Sequence, residues 1–231
     1  MSRIQLEATM KDLSLRQLGF GISCVKSNAG NLLEEARILK NEKRTARAYA
    51  LAYTACEELG KIPILVGAAA RLSSNQRVDW RSFSRRFRSH ESKAIQFNAL
   101  DAALQVLLKA KAEGKKAIDL KALKVISLYG ALKKRASLKE RNAALYCDFQ
   151  QERFVSPDEI ITTEILDVLM EVAERQLKVA DELFVPDVEA VIKLIGSEID
   201  PDRFNDLTHM RETLDLVFGS ASNSSTDVSP K

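Results

Sequence analysis

The chain has 231 residues, 45% of them apolar and 29% charged, enough to bury about 70% of its unfolded surface with no disulfide or metal to brace it. Few glycines, two histidines and three scattered cysteines (Cys24, Cys56, Cys147) argue against a β-sandwich, a zinc site and a disulfide framework, so no cofactor is expected. The net charge of +3 hides a split, with 28 basic and 14 acidic residues in 1–150 against 7 and 18 in 151–231, which suggests an anionic partner for the first part and a shielding role for the second.

Helical periodicity runs through nearly the whole chain. Leu15, Leu18, Ile22, Val25, Leu32, Leu33, Ala36 and Leu39 predict a first helix over about 14–40, capped by Ser14. A polar turn at 41–43 leads to a second helix over about 44–71, which Pro63 should kink. Asp79 caps a segment carrying Trp80, Phe83 and Phe87, and a further helix passes through Ile95, Leu100 and Leu104 to end near Gly114. Two more helices are expected over 118–135 and 138–149. The capping box at 156–159 opens a helix over about 157–184, and Asp200–Pro201 starts another that ends near Gly219. No strand is expected. The fold class is an all-α bundle of long antiparallel helices. The expected organisation is a helical domain over 1–184, an acidic helical extension over 185–218 and a disordered tail over 219–231. No apolar run approaches a membrane span and the N-terminus lacks an export core, so a cytoplasmic location with no membrane contact is expected.

Three clusters carry potential chemistry. The first is Glu57-Glu58-Leu59-Gly60-Lys61. Two carboxylates inside so apolar a stretch need partners if buried, and Glu57 with Lys61 form a candidate structural network. The second is the basic run Arg77, Arg81, Arg85, Arg86, Arg88, His90 and Lys93, interleaved with Trp80, Phe83 and Phe87. Cations neutralise phosphate and aromatics stack bases, so Trp80, Arg85, Arg86 and Arg88 are candidate RNA-binding residues. The alternative partners of these arginines are the acids of 158–189. His90 is the side chain suited to proton transfer near neutrality.

The third cluster is Arg141-Asn142-Ala143-Ala144-Leu145-Tyr146. It resembles the Arg-polar-x(3–5)-His motif of the HEPN superfamily, with Tyr146 where the histidine would stand. The ordered set of Asn31–Leu33, Ala48–Ala50, Glu57–Lys61, His90 with Lys93, and Arg141 through Tyr146 is similar to the AbiV-type abortive-infection branch of that superfamily. The resemblance covers about residues 14–180. It implies a HEPN-like bundle and an antiphage effector, a metal-independent endoribonuclease acting as a homodimer on RNA, with a phage protein or cognate inhibitor as a possible further partner. It also implies roles. His90 would be the general base or acid, and Arg141 and Lys93 would stabilise phosphate charge. Glu58 would orient His90 or Lys93, Tyr146 would donate to a phosphate or stack a base, and Asn142 would bind RNA. The alternative is a non-catalytic RNA- or phage-protein-binding protein with a degenerate motif.

Overall fold

The computed structural model describes residues 10–112 and 138–183. The expected helix over 118–135, the extension over 185–218 and the tail over 219–231 lie outside the described residues.

The first helix, α1 (Leu15–Asn41), starts at a capping box in which Ser14 and Gln17 satisfy each other's backbone donors. Its buried stripe is Leu18, Ile22, Val25, Ala29, Leu33 and Ala36, the expected 3.6-residue face. α2 (Thr45–Leu59) packs on it. Five alanines of α2 are buried, and these small side chains let neighbouring helices approach from several sides. Arg44 offers α2 no side-chain cap. The job falls to Asp158, far along the chain, which accepts from the Ala46 N–H at 3.2 Å.

α3 (Lys61–Ser73) follows after a break at Gly60. Pro63 was expected to cause the interruption, and the structure corrects this. Pro63 is the third residue of α3, in the first turn, where a backbone N–H has no intrahelical partner to lose. α4 (Trp80–Arg88) is capped by Asp79, and α5 (His90–Ala112) leaves it at Ser89.

The expected helix over 138–149 is shorter. α6 (Leu138–Leu145) gives way to a hairpin of β1 (Asp148–Gln150) and β2 (Arg153–Val155), with Phe149 opposite Phe154. The connecting Gln151 and Glu152 both have positive φ, 48° and 64°. That is the backbone of a tight mirror-image turn, reached without the usual Asn or Gly. The helix expected over 157–184 is split into α7 (Pro157–Ile160) and α8 (Thr163–Leu183).

α2 is the central helix, touched by α1, α5, α6 and α8. Its own Tyr49 and Tyr53, and Phe97 of α5, are among the largest fully buried side chains, each contributing roughly 2–3 kcal/mol of burial. α8 runs antiparallel to α1 through three ion pairs: Lys40–Asp167 at 2.5 Å, Arg37–Glu174 at 2.7 Å and Lys26–Asp181 at 2.9 Å. The three acids recur every seven residues, so they share one side of α8. They face α1, and the alternative of pairing with the α4 arginines is not realised by these acids. No helix among the described residues is long and apolar enough to cross a membrane.

Candidate active site

Two helix ends meet at the site. Glu57 stands in the last turn of α2, and His90 and Lys93 stand in the first turn of α5. Gly60 makes the junction possible. A Cβ there would lie 2.1 Å from the Lys93 carbonyl oxygen, so only glycine permits this approach of backbone to backbone. Ser89 closes the start of α5 by accepting from the Ser92 N–H at 3.2 Å. Farther along, Arg175 of α8 reaches Asp101 at 2.6 Å, and the Gln176 amide donates to the Phe97 carbonyl at 3.0 Å. These contacts hold the body of α5 against α8.

Both carboxylate oxygens of Glu57 lie 2.8 Å from His90 Nδ1. The Lys93 ammonium donates to Glu57 Oε2 at 3.1 Å. The Glu57 and Lys93 side chains are 4% and 8% exposed, whereas that of His90 is 49% exposed. A carboxylate accepts and cannot donate, so Nδ1 carries a proton, and in the neutral ring Nε2 is the acceptor. The arrangement can therefore take a proton from a bound hydroxyl.

Two expected roles are corrected here. Glu58 does not orient His90 or Lys93; it pairs with Lys61 at 2.5 Å. Successive helical residues point about 100° apart, and Glu57 is the one that faces α5. Lys61 is in turn 5.0 Å over the Phe87 ring, so it belongs to a local network with Glu58. Lys93 was expected on phosphate charge. Its buried ammonium is instead committed to Glu57, whose negative charge needs an internal partner.

Arg141 reaches the same region from α6. Next to it, Glu140 accepts from the Tyr49 hydroxyl at 3.0 Å, which fixes α6 against α2. Tyr49, Tyr53 and Glu57 are four residues apart and form one column on α2. Burial pushes the Tyr53 phenol well above its ordinary range, the Glu57 charge adds to this, and the Arg141 charge opposes it. The Tyr53 phenol thus feels both the carboxylate that holds His90 and the Arg141 guanidinium. Burial, then the Glu140 charge, push the Tyr49 phenol up likewise. Arg141 is half-buried, while Asn142 and Tyr146 are exposed. Tyr146 is five residues beyond Arg141, just past the end of α6, and no hydrogen bond joins the two side chains.

The α4 arginines Arg85, Arg86 and Arg88 line an exposed face. The aromatics between them do a different job. Trp80 meets Phe83 edge-on at 5.5 Å and Phe83 stacks with Phe87 at 5.8 Å. Phe83 is buried and the other two are half-buried against the core. This spine holds α4 to the bundle, which limits Trp80 to a partly covered edge for any base. No group of three or more His, Cys, Asp or Glu that could hold a metal ion occurs among the described residues. The sequence signal for the Tyr49–Tyr53–Glu57 column was its four-residue spacing in an otherwise alanine-rich helix.

Residues 17–178 match the family model HEPN_AbiV, described as AbiV. No curated protein and no solved structure gives a significant match.

Proposed function

This chain belongs to the AbiV family of HEPN proteins, and on that premise we propose that it is an abortive-infection effector of bacterial antiphage defence that cleaves RNA as a cytoplasmic homodimer, without a metal. The observation that supports the reading is the Glu57–His90 pair, which engages Nδ1 of a half-exposed ring and leaves Nε2 as the acceptor of the neutral imidazole.

In the proposed step, Nε2 takes the proton of a ribose 2′-OH. O2′ attacks the adjacent phosphorus, the P–O5′ bond breaks, and O5′ takes a proton from water, while the His90 imidazolium returns its own proton to solvent. The products are a 2′,3′-cyclic phosphate and a 5′-OH. Glu57 acts through His90: it fixes the tautomer and offsets the imidazolium charge that develops. Arg141 supplies a fork of donors for the phosphorane oxygens. Asn142 and Tyr146, exposed at the end of α6, hold RNA by a hydrogen bond or a stacked base. A base and cations of the chain itself meet the needs of this step. A second copy is invoked because one chain offers one Arg141 and one His90, and an isologous pair would present two such sets to one strand. A phage protein or a cognate inhibitor is the proposed trigger or brake.

The test is incubation of the purified protein with RNA, wild type beside His90→Ala and Arg141→Ala, with light scattering on the same samples. The expected results are a particle of twice 25.8 kDa and a cleavage rate about 10²-fold lower or worse in His90→Ala. A monomer, or cleavage indifferent to both substitutions, refutes the proposal. One observation favours a second reading, a non-catalytic RNA- or phage-protein-binding protein: Tyr146 stands in place of the motif histidine and is 65% exposed. RNA binding with no cleavage in the same assay supports that reading.

A further inference from the structure

The hairpin presents two phenyl rings to solvent. Phe149 and Phe154 are 60% and 78% exposed and meet edge to face at 5.2 Å. As cross-strand partners they share one side of the ribbon, while the next residue, Val155, turns to the core. The turn between the strands holds Gln151 and Glu152 at positive φ, a backbone conformation unfavourable to residues other than glycine. Exposed rings on a strained ribbon do nothing for the packing of this chain, and they mark an interaction surface.

Charge selects what fits it. Asp148 and Glu152 stand at the two ends of β1 and its turn, both exposed. Asp148 accepts from the Phe149 N–H at 2.8 Å and the Gln150 amide at 2.9 Å, uncharged donors that leave its negative charge in place. The cation of the ribbon, Arg153, is taken by Glu159 at 2.7 Å. Carboxylates beside the rings repel an RNA backbone. Aromatic faces with carboxylates at their rim instead receive guanidinium groups, which stack on the one and pair with the other.

Among the described residues, arginine is densest on and just before α4. Arg81 and Arg85 lie one turn apart and are exposed, as are Arg77, Arg86 and Arg88. Arg85 reaches the Ser82 hydroxyl at 3.5 Å, and neither Arg81 nor Arg85 has an ion-pair partner among the described residues. The two surfaces of one chain stand at opposite ends of α2. Asp158, three residues after the hairpin, caps the start of α2 at Ala46, whereas Phe87 of α4 lies under Lys61, just beyond its last turn. That separation is roughly 20 Å. Two copies laid antiparallel put each hairpin on the other's α4, and a two-fold axis makes both contacts at once. Both are needed. The exposed parts of two phenyl rings amount to roughly 300 Å², well short of the roughly 800 Å² that each partner of a stable pair buries.

We propose that the Phe149–Phe154 hairpin, rimmed by Asp148 and Glu152, is a homodimer contact that docks on the Arg81–Arg85 face of α4 in a second copy. The proposal rests on the homodimer reading above and names the surfaces that meet.

The test is the dimer Kd of the full chain, measured by light scattering across a concentration series. Three variants are compared with wild type: Asp148→Lys with Glu152→Lys, Arg81→Glu with Arg85→Glu, and Phe149→Thr with Phe154→Thr. Each should raise the dimer Kd about 10²-fold or more. All six side chains are exposed, so melting curves should stay close to that of wild type, and the threonine variant decides alone if a charge reversal fails to fold. Mixing the two charge-reversed proteins should restore a dimer of near wild-type affinity, because each contact then joins opposite charges again. A wild-type Kd in the hairpin variants, or a mixture that stays monomeric, overturns the interface and leaves the homodimer reading standing. Dimers that persist in Arg81→Glu with Arg85→Glu while RNA binding is lost assign these arginines to phosphate and also overturn it. Wild-type protein that is monomeric at micromolar concentration overturns the homodimer reading and this interface together.

Discussion

Glu57 and His90 stand at the ends of two helices that meet, 33 residues apart in the chain, and both oxygens of the one lie 2.8 Å from Nδ1 of the other. The Lys93 ammonium on Oε2 gives this buried carboxylate a second partner, a cation.

That arrangement predicts strong coupling between Glu57 and Lys93. Removing either partner of a buried pair strands the other, at a cost of about 3–5 kcal/mol. Glu57→Leu and Lys93→Met should each lower stability by that order in urea unfolding. The double variant should cost less than the two added together, by about 1–3 kcal/mol. Additive losses would show that the pair is not coupled.

Gly60→Ala should be among the most damaging single changes. Its Cβ would collide with the Lys93 carbonyl oxygen, a backbone atom that cannot swing aside. The α2–α3 junction must then part from α5, and a loss of about 1–3 kcal/mol is expected. For a chain of this size that is a Tm drop of roughly 2–12 °C. A melting curve like that of wild type would refute the close approach.

Cysteine labelling offers a simple check of burial. Cys56 is buried, and burial first, then the Glu57 charge, push its thiol well above the ordinary range. Cys24 and Cys147 are exposed. Under native conditions a thiol reagent should modify Cys24 and Cys147, with Cys56 reacting only after unfolding. Rapid native modification of Cys56 would contradict the packing of α2.

Glu159 should keep its charge to low pH. The Ser156 backbone N–H first, then the Arg153 side chain, hold its carboxyl down to about 2. A depressed value means the stabilisation is fully present above the ordinary carboxylate range and fades as pH falls toward about 2. A carboxyl titration followed by NMR should give a midpoint near that value. A midpoint in the ordinary range would mean that the capping box at the start of α7 is not formed in solution.

Much of the fold was legible because its signals are local. The Leu18–Ile22–Val25–Ala29–Leu33–Ala36 stripe and the Ser14 cap both depend on residues within a few turns. The hairpin was not legible, because Gln151 and Glu152 adopt positive φ without Asn or Gly. The break at Gly60 was assigned to Pro63 because the demand on Gly60 comes from Lys93, on a different helix. The site was half legible for the same reason. His90 and the acidic pair stood out, but choosing Glu57 over Glu58 requires knowing which side of α2 meets α5. The Asp158 cap on Ala46 bridges 112 positions, and no local pattern announces it.

The central claim is that His90, held by Glu57, transfers the proton in RNA cleavage. The most direct measurement is the single-turnover cleavage rate of a bound RNA by wild type, His90→Ala and Glu57→Gln, with RNA affinity measured on the same samples. The account predicts cleavage by wild type, a fall of about 10²–10⁴-fold in His90→Ala, a marked fall in Glu57→Gln, and RNA affinity retained in both. A wild-type rate in His90→Ala, or no cleavage by wild-type dimer on RNA that it binds, would contradict it.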